Sequence, residues 1–385
     1  MVLAKTVFDE REKITQYSLS SQDGGLVVKI LDYGATISHL LVRDGAGVVR
    51  DVVLGFDSFQ GYQSAENAYF GCVVGRVANR IRDASFLLNG RTHHLERNAS
   101  DGRNHLHGGF CGFDKRKWSL VSEGEDFISL EYTSADGEEG YPGAVTVTVT
   151  YSLVGEELRL EYTGRLSEGE TQETIINLTN HTYFNLSGAC SEQASKILDH
   201  RLVFSEPRAR NVVAVLDKDD DLIPTGESIP LASDAGAAFD FYQGTRGELH
   251  TIGSRIDDVG GYDHALVFAD RSSDRVRDAF LKVWSPLSNI CLTMSTSEPA
   301  VQLYTGEFLS ERLVSKASQG KVRLGKRSGF CLEANRYPDA IHQPEWREQV
   351  VLRPGQVYRQ TTVYRLTAYH SGTPVPVENG SSDSH

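Results

Sequence analysis

Short runs of alternating apolar and polar residues, broken by glycine or Asn/Asp turns, recur along this chain. In the clearest, Val145-Thr146-Val147-Thr148-Val149-Thr150-Tyr151, valine and threonine alternate at the period of a half-buried strand. Gly155-Glu156 then turns the chain into Leu158-Arg159-Leu160-Glu161-Tyr162. Leu26–Leu31 and residues 33–40 predict two more strands, and residues 52–56 another after the turn Asp44-Gly45-Ala46-Gly47. Residues 85–88 and 92–95 flank Asn89-Gly90, a dipeptide that supplies the left-handed residues of a tight hairpin. Further strands are predicted at Arg201–Phe204 and at residues 279–284, 290–295 and 358–364. Helical signals are weak, amounting to short turns in residues 206–214 and 244–256. Many short strands with glycine-rich turns predict an all-β fold, an antiparallel sandwich or barrel with few short helices.

One stretch departs from this pattern. Along Ile176-Asn177-Leu178-Thr179-Asn180-His181 a strand would sort Ile176, Leu178 and Asn180 from Asn177, Thr179 and His181. Thr182-Tyr183-Phe184-Asn185-Leu186 continues it. Buried amides and hydroxyls are costly unless paired, so the stretch is either a hydrogen-bonded joint or the floor of a site.

Charge and cysteines narrow the classes of partner. The 385 residues carry 39 Lys+Arg against 52 Asp+Glu, a net charge of −13, which argues against nucleic acid or an anionic membrane surface. Cys72, Cys111, Cys190, Cys291 and Cys331 are odd in number and never spaced as CxxC, so free thiols in the cytoplasm are expected. The N-terminal residues hold no apolar signal core, and no window approaches the ~20 apolar residues of a membrane span. Residues 1–370 read as one domain, and the Ser/Gly/Pro-rich residues 371–385 as a disordered tail.

Three more polar segments interrupt apolar surroundings. Gly75-Arg76-Val77-Ala78-Asn79-Arg80-Ile81, taken alone, reads as a salt-bridged surface strand. In Asn104-His105-Leu106-His107-Gly108-Gly109 the two histidines would share a strand face, which makes a metal site conceivable. No third ligand accompanies them at suitable spacing, so metal is the weaker option. The glycines would admit a ligand close to the backbone. In Gly329-Phe330-Cys331-Leu332-Glu333 a carboxylate emerges from an apolar strand, either as an ion-pair partner or as a general base. Asp263-His264 and Gln302 add an acid, an imidazole and an amide. No GxGxxG between strand and helix, GxxxxGK[ST] or GxSxG is present, which argues against nicotinamide, ATP or serine-nucleophile chemistry.

Gly75 to Ile81, His105 to Gly109, Asn180 to Leu186 and Gly329 to Glu333, in that order, resemble the signature segments of the aldose 1-epimerases (galactose mutarotases). Gly112-Phe113-Asp114-Lys115, Asp263-His264, Val301 to Gly306 and Arg359 to Tyr364 also match, so the resemblance runs from about Tyr33 to Leu366. It implies a large antiparallel β-sandwich (a supersandwich) and interconversion of the α and β anomers of free aldohexoses such as galactose and glucose. It also implies Glu333 as general base and His181 as general acid, with Asn79, Arg80, His107, Asp263 and Gln302 around the sugar. The reaction moves only protons, so an acid and a base on opposite sides of the ring suffice, with no cofactor and no metal. A monomer or homodimer is expected. A phosphosugar epimerase, a glycoside hydrolase using Glu333 and Asp263, and a non-catalytic sugar sensor are the competing readings. The first would need an arginine cluster beyond Arg76, Arg80 and Arg82.

Overall fold

Valine and threonine alternate over residues 145–150 of the strand Val145–Val154, and the fold turns that alternation into two faces: those valines are buried and the threonines half-exposed. A computed structural model describes residues 2–205, 211–242, 250–270 and 275–369. Val145–Val154 pairs residue for residue with Glu157–Leu166 across a two-residue turn. Both lie within an eight-stranded antiparallel sheet that also contains Tyr358–Ala368, Ile290–Thr296, Leu281–Trp284 and Arg201–Phe204. One face of such a sheet meets the core and the other meets water, which is the arrangement alternation encodes.

Two further sheets cover the apolar face. A five-stranded sheet is formed in chain order by Val2–Asp9, Ile14–Ser20, Leu26–Leu31, Thr36–Arg43 and Val49–Asp51. A six-stranded sheet runs in the order Tyr183–Phe184, Phe330–Asn335, Ala300–Tyr304, Asp263–Phe268, Val212–Lys218 and Pro224–Pro230. One continuous cluster joins all three, with Leu19 and Ile37, Val149 and Leu160, and Val301 and Leu332 among its members. Each fully buried Val, Leu or Ile stabilises such a core by about 1.5–3 kcal/mol. The all-β sandwich with few short helices is therefore what forms; Phe59–Gln63 is a five-residue α-helix capped by the Ser58 side chain.

Local predictions fared unevenly. The Asn89-Gly90 hairpin forms between Ser85–Leu88 and Arg91–His94, with both turn residues at positive φ. Residues 52–56 do not form the predicted strand. The five-stranded sheet ends at Asp51, and Val53 leaves it to bridge Phe184. Residues 212–214 open the strand Val212–Lys218 instead of a turn, while Ile252–Ser254 and Ile256–Val259 are 3-10 turns. Residues 206–210, 244–249 and the tail 371–385 lie outside the described residues.

The central stretch is not a strand. It touches three partners in two-residue pieces: Thr174–Ile175 on Val351–Leu352, Thr179–Asn180 on Val73–Val74, and Tyr183–Phe184 on Phe330 and Cys331. Every residue from 174 to 189 is buried, so no polar face is presented to solvent. Side-chain amides supplement these broken ladders. Asn177 exchanges two hydrogen bonds with the Arg336 backbone, at 3.2 and 2.9 Å. Asn180 donates to the Gly71 and Cys72 carbonyls, and Asn185 to those of Ala194 and Ser328.

A second buried polar joint closes the five-stranded sheet. Lys316, fully enclosed, pairs with the equally enclosed Asp51 at 2.8 Å and donates to the Ser38 carbonyl. Removing one partner of such a pair leaves an uncompensated charge in the interior. Lys316→Met is expected to lower the unfolding free energy by about 3–5 kcal/mol in urea titration. A loss below about 1 kcal/mol would show that the pair contributes little.

Candidate active site

Strand period places the acidic wall of the site. Gln302 stands opposite Glu333 on one neighbour and opposite Ala265 on the other. Alternate residues of these strands, Leu332, Ala334, Val301, Leu303 and Leu266, enter the main core. Cys331, Glu333, Gln302, Tyr304 and Asp263 therefore share the other face. The Gln302 amide donates to Asp263 Oδ1 at 2.7 Å, which fixes both side chains.

The opposing wall comes from the central stretch and two tight loops. His181 is gripped by its backbone: its N–H donates to the Cys72 carbonyl, and its own carbonyl accepts from Gly71 N–H. Its Nε2 lies 3.6 Å from Glu333 Oε1, with both side chains under 5% exposed. His107 meets the His181 ring edge-on, centroids 5.3 Å apart. Asn79 and His107 hold each other: Asn79 N–H donates to His107 Nδ1 at 3.1 Å, and His107 N–H to the Asn79 carbonyl. Both have positive φ, a conformation that non-glycine residues adopt mainly where surrounding structure compels it. Gly108 follows at φ +82°, where a Cβ would overlap the Gly75 carbonyl. Gly108 thus admits the chain's own backbone, and Gly109 the Glu139 side chain.

Burial governs the charges. It pushes the Glu333 carboxyl well above the usual carboxylate range, Asp263 pushes the same way, and Arg80 opposes both. Burial also holds His181 down at about 4 and His107 well below its ordinary range, with His181 and Arg80 adding to the latter. The carboxylate is thereby made a stronger base and the imidazolium a stronger acid. Glu333 Oε2, Gln302 Oε1 and Arg80 Nε are buried with no hydrogen-bond partner among the described residues. Asn79, Arg80, Asp263 and Gln302 line one cavity with Lys218, His264 and Pro338.

The seven residues implied by the family resemblance thus lie close together, four of them lining this cavity and His107, His181 and Glu333 clustered beside it, while two neighbours do not join them. Arg76 is buried, not salt-bridged at the surface, and donates to the carbonyls of Ser134, Pro142 and Gly143. His105 does not share a face with His107. The positive φ of His107 turns the chain, and His105 instead contacts the Glu96 carbonyl and the Tyr141 hydroxyl.

Three participants were missed. Tyr69 packs on His107 and His181 with centroids 4.7 and 5.7 Å away, and no periodicity marks it. Tyr304 and Cys331 lie two residues from Gln302 and Glu333 on the same strand faces, so period two was signal enough to find them.

The comparisons with known proteins come down on one family. A family model described as aldose 1-epimerase matches residues 16–365. Galactose mutarotase of Rattus norvegicus is 38% identical over 371 residues, covering 95% of this chain and 98% of that one. Aldose 1-epimerase of Escherichia coli is 33% identical over 357 residues, with 90% and 93% coverage. The crystal structure of an aldose epimerase homologue from C. elegans superposes with a TM-score of 0.78 at 26% identity, over 92% of this chain and 98% of that one.

One nitrogen each of His107 and His181 and one Glu333 oxygen lie within 4.8 Å of one another, a spacing that a divalent cation could use. The positive charge of Arg80, which bears electrostatically on both Glu333 and His107, disfavours a cation there. Dialysis against a chelator is therefore expected to leave the melting temperature unchanged. A drop reversed by zinc would make these three residues ligands.

Proposed function

This chain belongs to the aldose 1-epimerase family, and from that premise we infer that Glu333 and His181 are the proton-transfer pair with which it interconverts the α and β anomers of free aldoses. The observation that carries the assignment is the 3.6 Å approach of His181 Nε2 to Glu333 Oε1 in a dry setting. The anomeric hydroxyl and the ring oxygen are bonded to the same carbon. A base and an acid side by side, rather than on opposite sides of the ring, can therefore serve both.

In the ring-opening step Glu333 takes the proton of the C1 hydroxyl, and the C1–O bond becomes a carbonyl. The bond from C1 to the ring oxygen breaks, and His181 gives that oxygen a proton. Rotation about C1–C2 exposes the other carbonyl face, and the two groups reverse roles. The ion pair of Glu333 and imidazolium becomes a neutral pair as the ring opens, a change that burial favours. Each group typically supplies 10²–10⁴-fold. Asn79, Arg80, His107, Asp263 and Gln302 bind the sugar hydroxyls, and galactose and glucose are the substrates to test first.

The phosphosugar alternative lacks support from the cations. Arg76 is committed to backbone carbonyls, Arg82 to Asp219 and Asp339, and Lys218 to the Asp263 carbonyl. Residues 1–370 act as one domain in this reading, supported by the single cluster joining the three sheets. Five free thiols favour the cytoplasm, a net charge of −13 disfavours nucleic acid, and the chain is taken to act as a monomer or homodimer. Among the described residues no helix is long and apolar enough to cross a membrane.

Glu333→Gln keeps the shape and removes the base, so turnover should fall by about 10²–10⁴-fold in polarimetry of α-galactose with the fold intact. A near-normal rate in the folded variant would refute the assignment. The pH profile follows from the same pair, which is active while it holds one proton. Below about pH 4 His181 gains a second proton and kcat/KM should fall. At high pH the pair loses its proton at the raised Glu333 carboxyl. Arg80 lowers that group, so Arg80→Met should move the alkaline limb upward; a downward shift would contradict the electrostatic account.

A further inference from the structure

We propose that Tyr69 and Lys115 form a cover that keeps water off His181 and His107, which makes Tyr69 a positioning residue of the proton-transfer site. The inference rests on the reading of His181 as the acid, and it gives the segment Gly112-Phe113-Asp114-Lys115 a role. The Tyr69 ring centroid lies 5.7 Å from that of His181 and 4.7 Å from that of His107. Lys115 Nζ stands 5.1 Å from the Tyr69 ring centre and pairs at 2.6 Å with the buried Asp114. A cation is attracted to the face of an aromatic ring, so the carboxylate anchors the lysine and the lysine holds the ring. Exposure falls in the same order, from the Lys115 side chain at 37% through the half-buried Tyr69 to the buried histidines.

The turn that carries Tyr69 is also the one that grips His181. Cys72 N–H donates to the Tyr69 carbonyl, while Gly71 N–H and the Cys72 carbonyl bond the His181 backbone. Tyr69 has positive φ, and a Cβ at Gly71 would overlap the Ile37 carbonyl, so the turn leaves the ring little choice of position. Of the described rings in contact with His181, those of His107, Tyr183 and Tyr304 are buried and Tyr69 alone is half-buried. Tyr69 thus stands between the imidazole and solvent. Taking an imidazole out of water disfavours its charged form, and burial is the main cause that holds His181 at about 4. Besides the tyrosines, the described titratable groups that face or act on this ring are Glu333, Cys331, His107 and Asp263, and Asp263 opposes burial. On His107, Lys115 acts in the same direction as burial.

The test reads a pH profile that loss of packing alone would not move. Tyr69→Ala admits water, and hydration favours the charged imidazole. The acid limb of kcat/KM should therefore move up from about pH 4 toward 6.5, the ordinary imidazole value, with a fall in kcat as the imidazolium becomes a weaker acid. Tyr69→Phe keeps the ring and should restore the wild-type limb and most of kcat. Lys115→Met, made together with Asp114→Asn so that no carboxylate is left buried alone, should move the limb the same way by a smaller step. NMR titration of the His181 ring in each variant follows the same shift without relying on turnover. A folded Tyr69→Ala protein whose His181 still titrates near 4 would overturn the proposal, and a double variant with no shift would remove Lys115 from it. Tyr69→Leu, a milder truncation with the same expected sign, takes the place of Tyr69→Ala if that protein does not fold. Failure of the underlying reading looks different: His181→Asn would turn over normally while the His181 titration in Tyr69→Ala still moved.

Discussion

The site depends on carrying a stretch of backbone that changes partner every few residues through the protein interior. Residues 174–189 are buried throughout, yet they belong to no continuous strand. A buried amide or carbonyl without a partner costs about 1–3 kcal/mol, so a run of this length would unfold the molecule if left bare. Ile176, Asn177, His181 and Asn185 answer that demand by donating to the Val350, Arg76, Cys72 and Val52 carbonyls, and the Asn180 and Asn185 side chains accept from the Thr182 and Ser187 N–H groups. The Asn177 side chain also grips the Arg336 backbone and so ties the stretch to the end of the Glu333 strand. Placement of His181 opposite Glu333 is thus a consequence of how the interior is satisfied.

Electrostatics then follows from burial. Both members of the pair are removed from water, and each is pushed toward its neutral form, the carboxyl upward and the imidazole downward. In water the acid and base strengths of these groups are separated the other way. The protein reverses that order and so favours the neutral forms of both groups, between which a proton can be relayed. Arg80 tempers the effect on Glu333, so one cation sets the balance between basicity and availability.

How much of this was legible depended on periodicity. The Val/Thr alternation of residues 145–151 and the Asn89-Gly90 turn report local rules, and both gave the right elements. Glu333 was legible as a carboxylate on an apolar strand, and its sheet face follows from counting by two. The central stretch was misread because alternation has meaning only when one face is wet, and neither is here. Arg76 was misread because charge suggests surface, whereas a guanidinium can be buried on uncharged oxygens, here backbone carbonyls and the Ser134 and Thr174 hydroxyls. His105 and His107 were paired by spacing, but the left-handed backbone at His107 is a tertiary constraint that no spacing rule contains. Family resemblance brought the seven site residues together; composition and period alone would have left them scattered.

The same accounting bears on selectivity. Glu333 Oε2, Gln302 Oε1 and Arg80 Nε are enclosed and unsatisfied among the described residues, with Gln302 and Arg80 lining one cavity and Glu333 beside Gln302 on the next strand. A ligand with hydroxyls at matching positions can give and take hydrogen bonds at all three. One lacking a hydroxyl leaves a protein group desolvated and unpaired, and sites built that way reject such analogues by several orders of magnitude. A purely apolar pocket cannot discriminate so sharply, since a missing methylene costs only about 1–3 kcal/mol. Polar atoms that look like defects of packing are therefore what would let this cleft distinguish a polyhydroxylated ring from the other small neutral molecules around it.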